Sequence, residues 1–299
     1  TNSGFNSRGN ASNVERKTFD DAGKLLEVQK ITNHKFDSRG NVFSQTVENF
    51  DDAGKLLDVV KVTNSGFNSR GNPTKTKREN FDDAGKLVDS QDITNHKFDS
   101  RGNVLEQTVE NYDDKGVLMD KQEIKNLKFN SRGNPLETIR ENYDDKGNLL
   151  DRQVVKNHKF DSRGNVLSQT TQNYDDKGVL LDTSEIENSN FNSRGNPGKT
   201  LRKTFDDKGA LISTQSIVNK KFDSRGNVLE QAVENFDDAG ALIDKQEIVN
   251  SLFNSRGNPG KTIRKNFDDK GVFLDSQEIE NKKFDSRGNV LSQIIKNFD

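Results

Sequence analysis

Apolar and polar residues alternate along short stretches of this chain. One stretch carries Leu87, Asp89, Gln91, Ile93 and Asn95 at every second position, and the same residue types recur in the same order 31 and 155 residues further on. The positions between them vary from copy to copy. A period of two with one constant and one variable face is typical of a β-strand with one packed face. Because the constant face includes polar side chains, we expect amide ladders between neighbouring repeats to supply their partners.

An asparagine closes this strand in every repeat. A row of binding residues is one interpretation, but the local hydrogen bonding to which asparagine is suited favours a turn or ladder residue. The members of the row are Asn33, Asn64, Asn95, Asn126, Asn157, Asn188, Asn219, Asn250 and Asn281.

Two aromatic-led motifs, 14 residues apart, recur every 31 residues. The first is Phe-(Asn or Asp)-Ser-Arg-Gly-Asn, hereafter the SRGN motif, and it begins at Phe5, Phe36, Phe67, Phe98, Phe129, Phe160, Phe191, Phe222, Phe253 and Phe284. The second is aromatic-Asp-Asp-x-Gly, hereafter the DDxG motif, and its aromatic residues are Phe19, Phe50, Phe81, Tyr112, Tyr143, Tyr174, Phe205, Phe236, Phe267 and Phe298. Asp or Asn followed by Gly three residues later suits a type I turn with glycine in the left-handed region, the usual three-residue hairpin connection. The pattern predicts about two strands per repeat and no helix, with SRGN turns along one sheet edge and DDxG turns along the other.

The first strand of the repeat alternates between two versions, so the true period is 62 residues. Four of the five repeats with Asn in the SRGN motif (Asn-type) continue with Pro-x-x-Thr-x-Arg, whereas most with Asp (Asp-type) continue with Val-Leu-x-Gln. The four prolines, Pro73, Pro135, Pro197 and Pro259, occupy the first strand position, where a missing donor is tolerated. His34, His96 and His158 follow the same spacing, but Lys220 and Lys282 replace histidine later, so histidine chemistry is not required there.

The unbroken period predicts one continuous array over residues 1–299, with about ten 31-residue repeats whose ends are cut mid-repeat. We therefore expect a segment of something longer, or one unit of a polymer. The predicted fold is all-β, a β-hairpin meander coiled into an elongated spiral or fibre, because strand twist accumulates in a long open sheet. A parallel β-solenoid with one 31-residue coil per rung is the alternative.

Composition narrows the functional classes. Hydrophobic residues make up 29% of the chain and mean hydropathy is −0.98, values often seen in disordered chains. Of the 19 Phe and 3 Tyr, however, all but Phe43 and Phe273 occupy the two motif positions, which indicates a folded array. The net charge of −2 gives no general attraction for nucleic acid. No apolar run reaches the length of a membrane span, no signal peptide is evident, and the absence of cysteine fits an extracellular fibre.

Recurrent carboxylates provide the main candidate chemistry. Asp51-Asp52 and its equivalents appear in every complete repeat, whereas a catalytic pair is expected once, so a turn role is favoured. Calcium binding by these aspartates is the more specific alternative, although their spacing matches neither an EF-hand loop nor the glycine-rich calcium-binding nonapeptide. The arginines of the SRGN motif, including Arg39, form a row with two interpretations. They are either solvated turn residues or a binding site for anionic glycans or phosphate. Asn10-Ala11-Ser12 is the one N-glycosylation pattern. We predict no catalytic, cofactor or metal site, and no enzyme.

The motifs Phe36-Asp37-x-x-Gly40-Asn41 and Tyr143-Asp144-x-x-Gly147-Asn148 resemble the YD repeats of RHS proteins along the whole chain. That resemblance implies a bacterial protein, secreted or on the surface, whose β-hairpin strips wind into a spiral shell, sometimes around a toxin. The strict 31-residue period is more regular than typical YD repeats, and neither the core-associated cleavage region of the family nor a toxin domain has a counterpart here.

Repetition without any singular site predicts a structural component of an extracellular or cell-surface fibre, filament or stalk. Such a protein would self-associate as a homopolymer or by lateral packing. The alternatives are an RHS-type shell that encapsulates a secreted toxin, and a multivalent adhesin that binds glycans.

Overall fold

The computed structural model describes residues 1–19, 25–223, 226–254, 257–284 and 290–299. All regular secondary structure in these ranges is β, as the sequence predicts, with two strands per repeat. The strands are β1 (Asn2–Phe5), β2 (Ala11–Phe19), β3 (Leu25–Phe36), β4 (Val42–Asp51), β5 (Leu56–Ser65), β6 (Lys75–Asp82), β7 (Leu87–Phe98), β8 (Val104–Tyr112), β9 (Leu118–Phe129), β10 (Pro135–Asp144), β11 (Leu149–Phe160), β12 (Val166–Tyr174), β13 (Leu180–Ser189), β14 (Lys199–Asp206), β15 (Leu211–Phe222), β16 (Val228–Phe236), β17 (Leu242–Phe253), β18 (Pro259–Phe267), β19 (Phe273–Phe284) and β20 (Val290–Phe298).

The backbone divides into two compact units. The first comprises residues 1–126 and 140–150, and the second comprises 127–139 and 151–299. In the first unit each strand from β1 to β9 pairs antiparallel with the next strand along the chain. The second unit repeats this arrangement from β11 to β20. The predicted hairpin meander is therefore confirmed. The alternative of a parallel β-solenoid is wrong, because each tight turn reverses the chain and makes neighbouring strands antiparallel.

Both turns form as the residue types predict. In the SRGN turn the Gly40 amide donates to the Asp37 carbonyl at 3.0 Å, and in the DDxG turn the Gly54 amide donates to the Asp51 carbonyl at 3.2 Å. Gly40 and Gly54 have φ of 91° and 80°, in the left-handed region that glycine enters at no steric cost. The predicted turns at residues 20–24 and 285–289, and parts of those at 224–225 and 255–256, lie outside the described residues.

A β-bulge follows seven of the described DDxG turns in the paired strands, those that begin after Phe50, Phe81, Tyr112, Tyr174, Phe205, Phe236 and Phe267. Between β12 and β13, Asn173 faces Asp182 and Tyr174 faces Leu180, so Leu181 is an extra residue opposite no partner. The same shift recurs between β14 and β15 and between β16 and β17. One aliphatic side chain per repeat is thereby displaced from the regular ladder.

Each unit is a single layer of strands with little deep core. Among the described residues of either unit, strands pack against their neighbours along the chain, and no non-consecutive strands are in contact. Within the described ranges, the buried apolar residues are Val60, Val154, Ala232 and Val233. In β13 exposure alternates toward the end of the strand, where Ile186 and Asn188 are half-buried and Glu185 and Glu187 are exposed. The constant face is thus the more covered one.

The 62-residue alternation also appears in the backbone. In every Asn-type repeat the residue immediately before the SRGN phenylalanine has a positive φ: 63° at Gly4, 62° at Gly66, 52° at Lys128, 56° at Asn190 and 56° at Leu252. Two glycines and three larger residues therefore adopt the same left-handed conformation. Gly4 and Gly66 lie outside the two turn motifs, and this left-handed conformation is the reason for glycine at both.

Candidate functional site

A ladder of polar side chains crosses the strands at the middle of the repeat. The Gln29 side-chain amide donates to Asn49 Oδ1 at 3.0 Å, and Asn49 Nδ2 donates in turn to Asp58 Oδ1 at 2.6 Å. These residues lie on β3, β4 and β5, so one Gln–Asn–Asp chain links three consecutive strands. We call this arrangement the Gln–Asn–Asp ladder.

The ladder recurs in both units with nearly constant geometry. In the first unit Gln91 donates to Asn111 at 2.9 Å and Asn111 donates to Asp120 at 2.5 Å. The second unit has the equivalent chains Gln153–Asn173–Asp182 and Gln215–Asn235–Asp244. Asn80 and Asp89 are both buried and bond to each other at 2.5 Å. The Gln, Asn and Asp side chains of these chains therefore find partners in adjacent strands, as expected. The expectation fails at four asparagines that close the strand on the same face, since their Oδ1 atoms are buried without a hydrogen-bond partner: Asn33, Asn95, Asn157 and Asn281.

The asparagine row forms a second ladder. Asn33 Nδ2 donates to the Ala11 carbonyl at 2.9 Å, and each of the other eight members donates to the backbone carbonyl 22 residues earlier. In Asp-type repeats the amide oxygen also accepts, as Asn64 Oδ1 does from the hydroxyl of Thr76 in the next repeat at 2.8 Å. These bonds fit the ladder interpretation. The carbonyl acceptor is often a proline, which has no N–H of its own to pair.

The edge formed by the SRGN turns, which we call the SRGN rim, links each turn to the next. Asn10 Nδ2 donates to the Gly40 carbonyl at 3.3 Å, and Arg39 Nη1 donates to the Asn68 carbonyl at 2.8 Å. Arg70 donates to the Ser100 carbonyl, and in the second unit Arg163 Nη1 donates to the Asn192 carbonyl at 2.9 Å. These three arginines thus serve as cross-links between turns.

The glycines of the SRGN rim lie directly against the previous turn. A Cβ added at Gly71 would lie 2.4 Å from Asn41 Oδ1, and one at Gly40 would lie 2.4 Å from Asn10 Nδ2. Glycine is needed here for close approach as well as for its positive φ. This second requirement was not visible in the sequence.

On the opposite edge, the DDxG rim, aspartates stabilise each turn and lysine–aspartate pairs link neighbouring turns. Asp51 Oδ1 accepts from the amides of Ala53 and Lys55 at 3.0 and 2.8 Å, so the first aspartate of the pair stabilises its own turn. The second aspartate meets a lysine of the preceding turn: Lys55 Nζ lies 3.6 Å from Asp83, and Lys86 Nζ lies 3.1 Å from Asp114. All four of these side chains are substantially solvent-exposed.

Hydrogen bonding lowers the pKa of several turn aspartates. At Asp37 partial desolvation raises the pKa, but hydrogen bonds from the Asn41 side chain and from the amides of Asn41 and Arg39 outweigh it, so the net pKa is below its ordinary value. Asp99 and Asp161 share this environment. On the DDxG rim, the Val117 amide is the main cause of the lowered pKa of Asp113. These carboxylates are ionised structural acceptors, a state unsuited to a general acid.

The three histidines pair with threonines on the next strand. His34 Nε2 lies 2.8 Å from Thr46 Oγ1, and the pairs His96–Thr108 and His158–Thr170 lie at 2.7 and 2.8 Å. Where lysine replaces histidine, at Lys220 and Lys282, the partner position holds Ala232 and Ile294. This joint change was present in the sequence, and aligning the repeats at both positions would have revealed it.

The described residues offer few groups for metal or membrane chemistry. No cluster of three His, Cys, Asp or Glu side chains placed to hold a metal ion occurs in the part of the chain that the structure describes. Within those same ranges there is no helix of the length and hydropathy needed to cross a bilayer.

No protein-family model and no curated protein sequence matches the chain. Among solved structures, it is similar to a chain in the Tc holotoxin pore of Photorhabdus luminescens that carries a TccC3 mutation, with 13% identity, a TM-score of 0.26, and coverage of 93% of this chain and 17% of that one. It is similar to a chain in the TcdB2-TccC3-Cdc42 crystal structure, with 13% identity, a TM-score of 0.20 and coverage of 95% and 19%. A chain in the TcdB2-TccC3-TEV structure gives 11% identity, a TM-score of 0.17 and coverage of 97% and 23%. The chain thus spans about a fifth of the length of these proteins, and at such TM-scores the likeness carries no argument about function.

Proposed function

We propose that this chain is a structural element of an extracellular or cell-surface fibre, filament or stalk. The observation that carries the proposal is the use of side-chain polar groups as links between strands and repeats. The asparagine row repeats at 31-residue intervals, and the complete Gln–Asn–Asp chains and the Asn-to-Gly links of the SRGN rim repeat at 62-residue intervals; each joins one strand or turn to its neighbour.

Electron microscopy of the purified chain tests this role. A structural element of this kind should give elongated particles whose length is consistent from particle to particle, because each repeat adds the same two strands. Isolated compact particles at all protein concentrations would contradict the proposal.

An RHS-type shell is the second candidate. It is favoured by the single layer of strands in each unit, since a wall around a cargo needs no second layer. The two roles differ in what lies beside the sheet. A closed, hollow particle in a cryo-EM reconstruction, together with an unlike C-terminal domain in the full gene, would favour the shell over the fibre.

Glycan adhesion has less support on the SRGN rim. The guanidinium groups of Arg39, Arg70 and Arg163 donate hydrogen bonds to backbone carbonyls of the next turn. Fewer of their N–H groups are therefore exposed to a glycan in solvent. A glycan array probed with the intact chain and with Arg39→Ala/Arg163→Ala tests this role. Adhesion would require binding to an anionic glycan that the double variant loses.

A further inference from the structure

An exposed row of aliphatic side chains runs along the DDxG rim of the second unit. We call it the aliphatic strip. Its members are each between 51% and 57% exposed, although all are residues that usually lie inside proteins. They are Val179, Leu181, Ile212, Ile243, Val272 and Leu274.

The backbone explains why these side chains are exposed. Leu181, Ile212, Ile243 and Leu274 are the extra residues of the β-bulges at the start of β13, β15, β17 and β19, so no residue of the preceding strand faces them. Val179 and Val272 lie two residues earlier, where the chain leaves the DDxG turn. The bulge therefore places one aliphatic side chain per repeat at a fixed interval. The equivalent described bulge residues of the first unit, Leu57, Val88 and Met119, are half-buried, so the greater exposure belongs to the second unit.

The fold itself does not require an aliphatic residue at the turn exit. The equivalent described positions in the first unit hold Lys55, Lys86, Val117 and Asn148, and the turns before the two lysines have the same hydrogen bonds as the turn before Val179. Val117 is itself 57% exposed. The side chains of Val179 and Val272 add exposed apolar surface and are not needed for the hydrogen bonds of the turn. Exposed aliphatic side chains grouped along one edge of a sheet commonly mark an interaction site.

We infer that the aliphatic strip is a self-association surface on which a second copy of this chain packs. One member of the strip recurs in each 31-residue repeat, hence at an interval of two strands or about 10 Å. A second copy presents the same interval, so all contacts can form in register. This inference rests on the proposed structural role and names the face through which the chains would join.

Charges beside the strip fit the same partner. Exposed Asp176 and Lys177 adjoin Val179, and exposed Asp269 and Lys270 adjoin Val272. Three of the four turns of the second unit place a lysine beside the second aspartate, at Lys177, Lys208 and Lys270, and the turn at 237–240 has Ala239 there. Two strips that face each other can therefore pair aspartate with lysine at three turns of four. A strongly acidic partner would instead meet a like charge at each turn, and a strongly basic partner would meet a lysine at three of them.

Sedimentation velocity over a protein concentration series tests the inference with the intact chain. We expect the unaltered chain to shift from monomer to dimer or higher species as concentration rises. The variant Val179→Lys/Val272→Lys should associate at least about tenfold more weakly, because two apolar contacts are replaced by like charges. Lys55 and Lys86 show that the fold accepts lysine at this position, and a circular dichroism melt checks it.

A matched control is available on the same sheet. Val218→Lys/Val249→Lys makes the same substitution near the other end of β15 and β17, where Lys125 and Lys156 occupy the equivalent positions in other repeats. This control should associate within about twofold of the unaltered chain. A chain that remains monomeric throughout, or equal weakening by both double variants, would overturn the inference. Elongated particles under the microscope combined with either result would leave the structural role intact, whereas compact particles would remove that role itself.

Discussion

The two rims use nearly the same turn but join neighbouring turns by different means. On the SRGN rim, Arg39 and Asn10 donate to backbone carbonyls of the following turn, and the glycine at 71 packs against the asparagine at 41. On the DDxG rim, glycines such as Gly85 have open space where a Cβ would be, and turns meet through exposed lysine–aspartate pairs. A good turn sequence thus specifies the bend, while the residues beside it decide whether successive bends are cross-linked.

Because of this difference in the links between turns, we expect the SRGN rim to contribute more to the stability of the fold than the DDxG rim. Hydrogen bonds to a fixed backbone carbonyl need only one mobile partner, whereas an exposed ion pair must order two long side chains against solvent and salt. We therefore expect the SRGN rim to be the more rigid edge and the DDxG rim to be the more tolerant one.

Gly71→Ala and Gly85→Ala should give the largest contrast between the rims. Both glycines have positive φ, 84° and 79°, so each alanine incurs a conformational cost of about 1–2 kcal/mol. At position 71 the new methyl also displaces Asn41, whose Nδ2 is held by Asp37 at 2.8 Å, which costs about 1 kcal/mol more. Urea unfolding of both variants measures the difference.

The two substitutions serve as each other's control, because they share the backbone requirement and differ in the neighbour. Equal midpoints in urea would show that the close approach on the SRGN rim contributes nothing to stability.

Leu252→Gly should stabilise the chain by about 1 kcal/mol. Leu252 has a φ of 56° and is 75% exposed, so glycine relieves a left-handed conformation and forfeits little burial. Gly66 already occupies the equivalent position in the first unit. Asn190→Gly is the graded control, since asparagine tolerates this conformation better than leucine, and its gain in thermal midpoint should be smaller. A lower midpoint for Leu252→Gly would contradict the assignment of strain.

Arg39→Ala should destabilise the chain more than Lys55→Ala. Arg39 donates to two carbonyls of the next turn, at 2.8 and 3.4 Å, and losing them costs about 1 kcal/mol. Lys55 loses only an exposed pair with Asp83, worth roughly 0–0.5 kcal/mol. Repeating the urea titration in 1 M NaCl separates the two causes, because added salt should remove the Lys55 effect and leave most of the Arg39 effect. If 1 M NaCl reduced the destabilisation by Arg39→Ala and by Lys55→Ala to the same extent, Arg39 would act as an ordinary surface charge and not through its hydrogen bonds.

Much of this fold follows from residue types that act locally. The turn at Asp37 to Gly40, the alternation through Leu87 to Asn95 and the ladder role of Asn33 depend on hydrogen bonds and faces that one repeat defines by itself. The antiparallel direction followed from turn length, since three residues between strands leave no room for a crossover.

The remaining features depend on distances between repeats. Nothing within one SRGN motif reveals that Arg39 reaches the Asn68 carbonyl, because that contact requires the spacing of two paired strands. The left-handed Leu252 was hidden because leucine gives no sign of positive φ, although Gly4 and Gly66 at the same register were a signal. The bulge that exposes Leu181 likewise arises from the meeting of two strands rather than from either alone.

The smallest expected effect is on the stability of the fold at acidic pH. The pKa values of Asp37, Asp99 and Asp161 lie below their ordinary value in the folded chain, so the stability they confer is present above about pH 4 and is lost as pH falls through the folded-state pKa. In Asn-type turns the equivalent Asn68 already accepts the Arg70 and Asn72 amides at 2.9 and 3.0 Å, so Asp37→Asn/Asp99→Asn/Asp161→Asn should fold normally at pH 7. Between pH 5 and pH 2 the urea midpoint of this variant should fall less than that of the unaltered chain. The fall should not vanish, because Asp113 and Asp144 on the DDxG rim also have lowered pKa values and are retained. An unchanged acid profile would assign the whole acid sensitivity to the DDxG rim and reverse the expected contrast between the two edges.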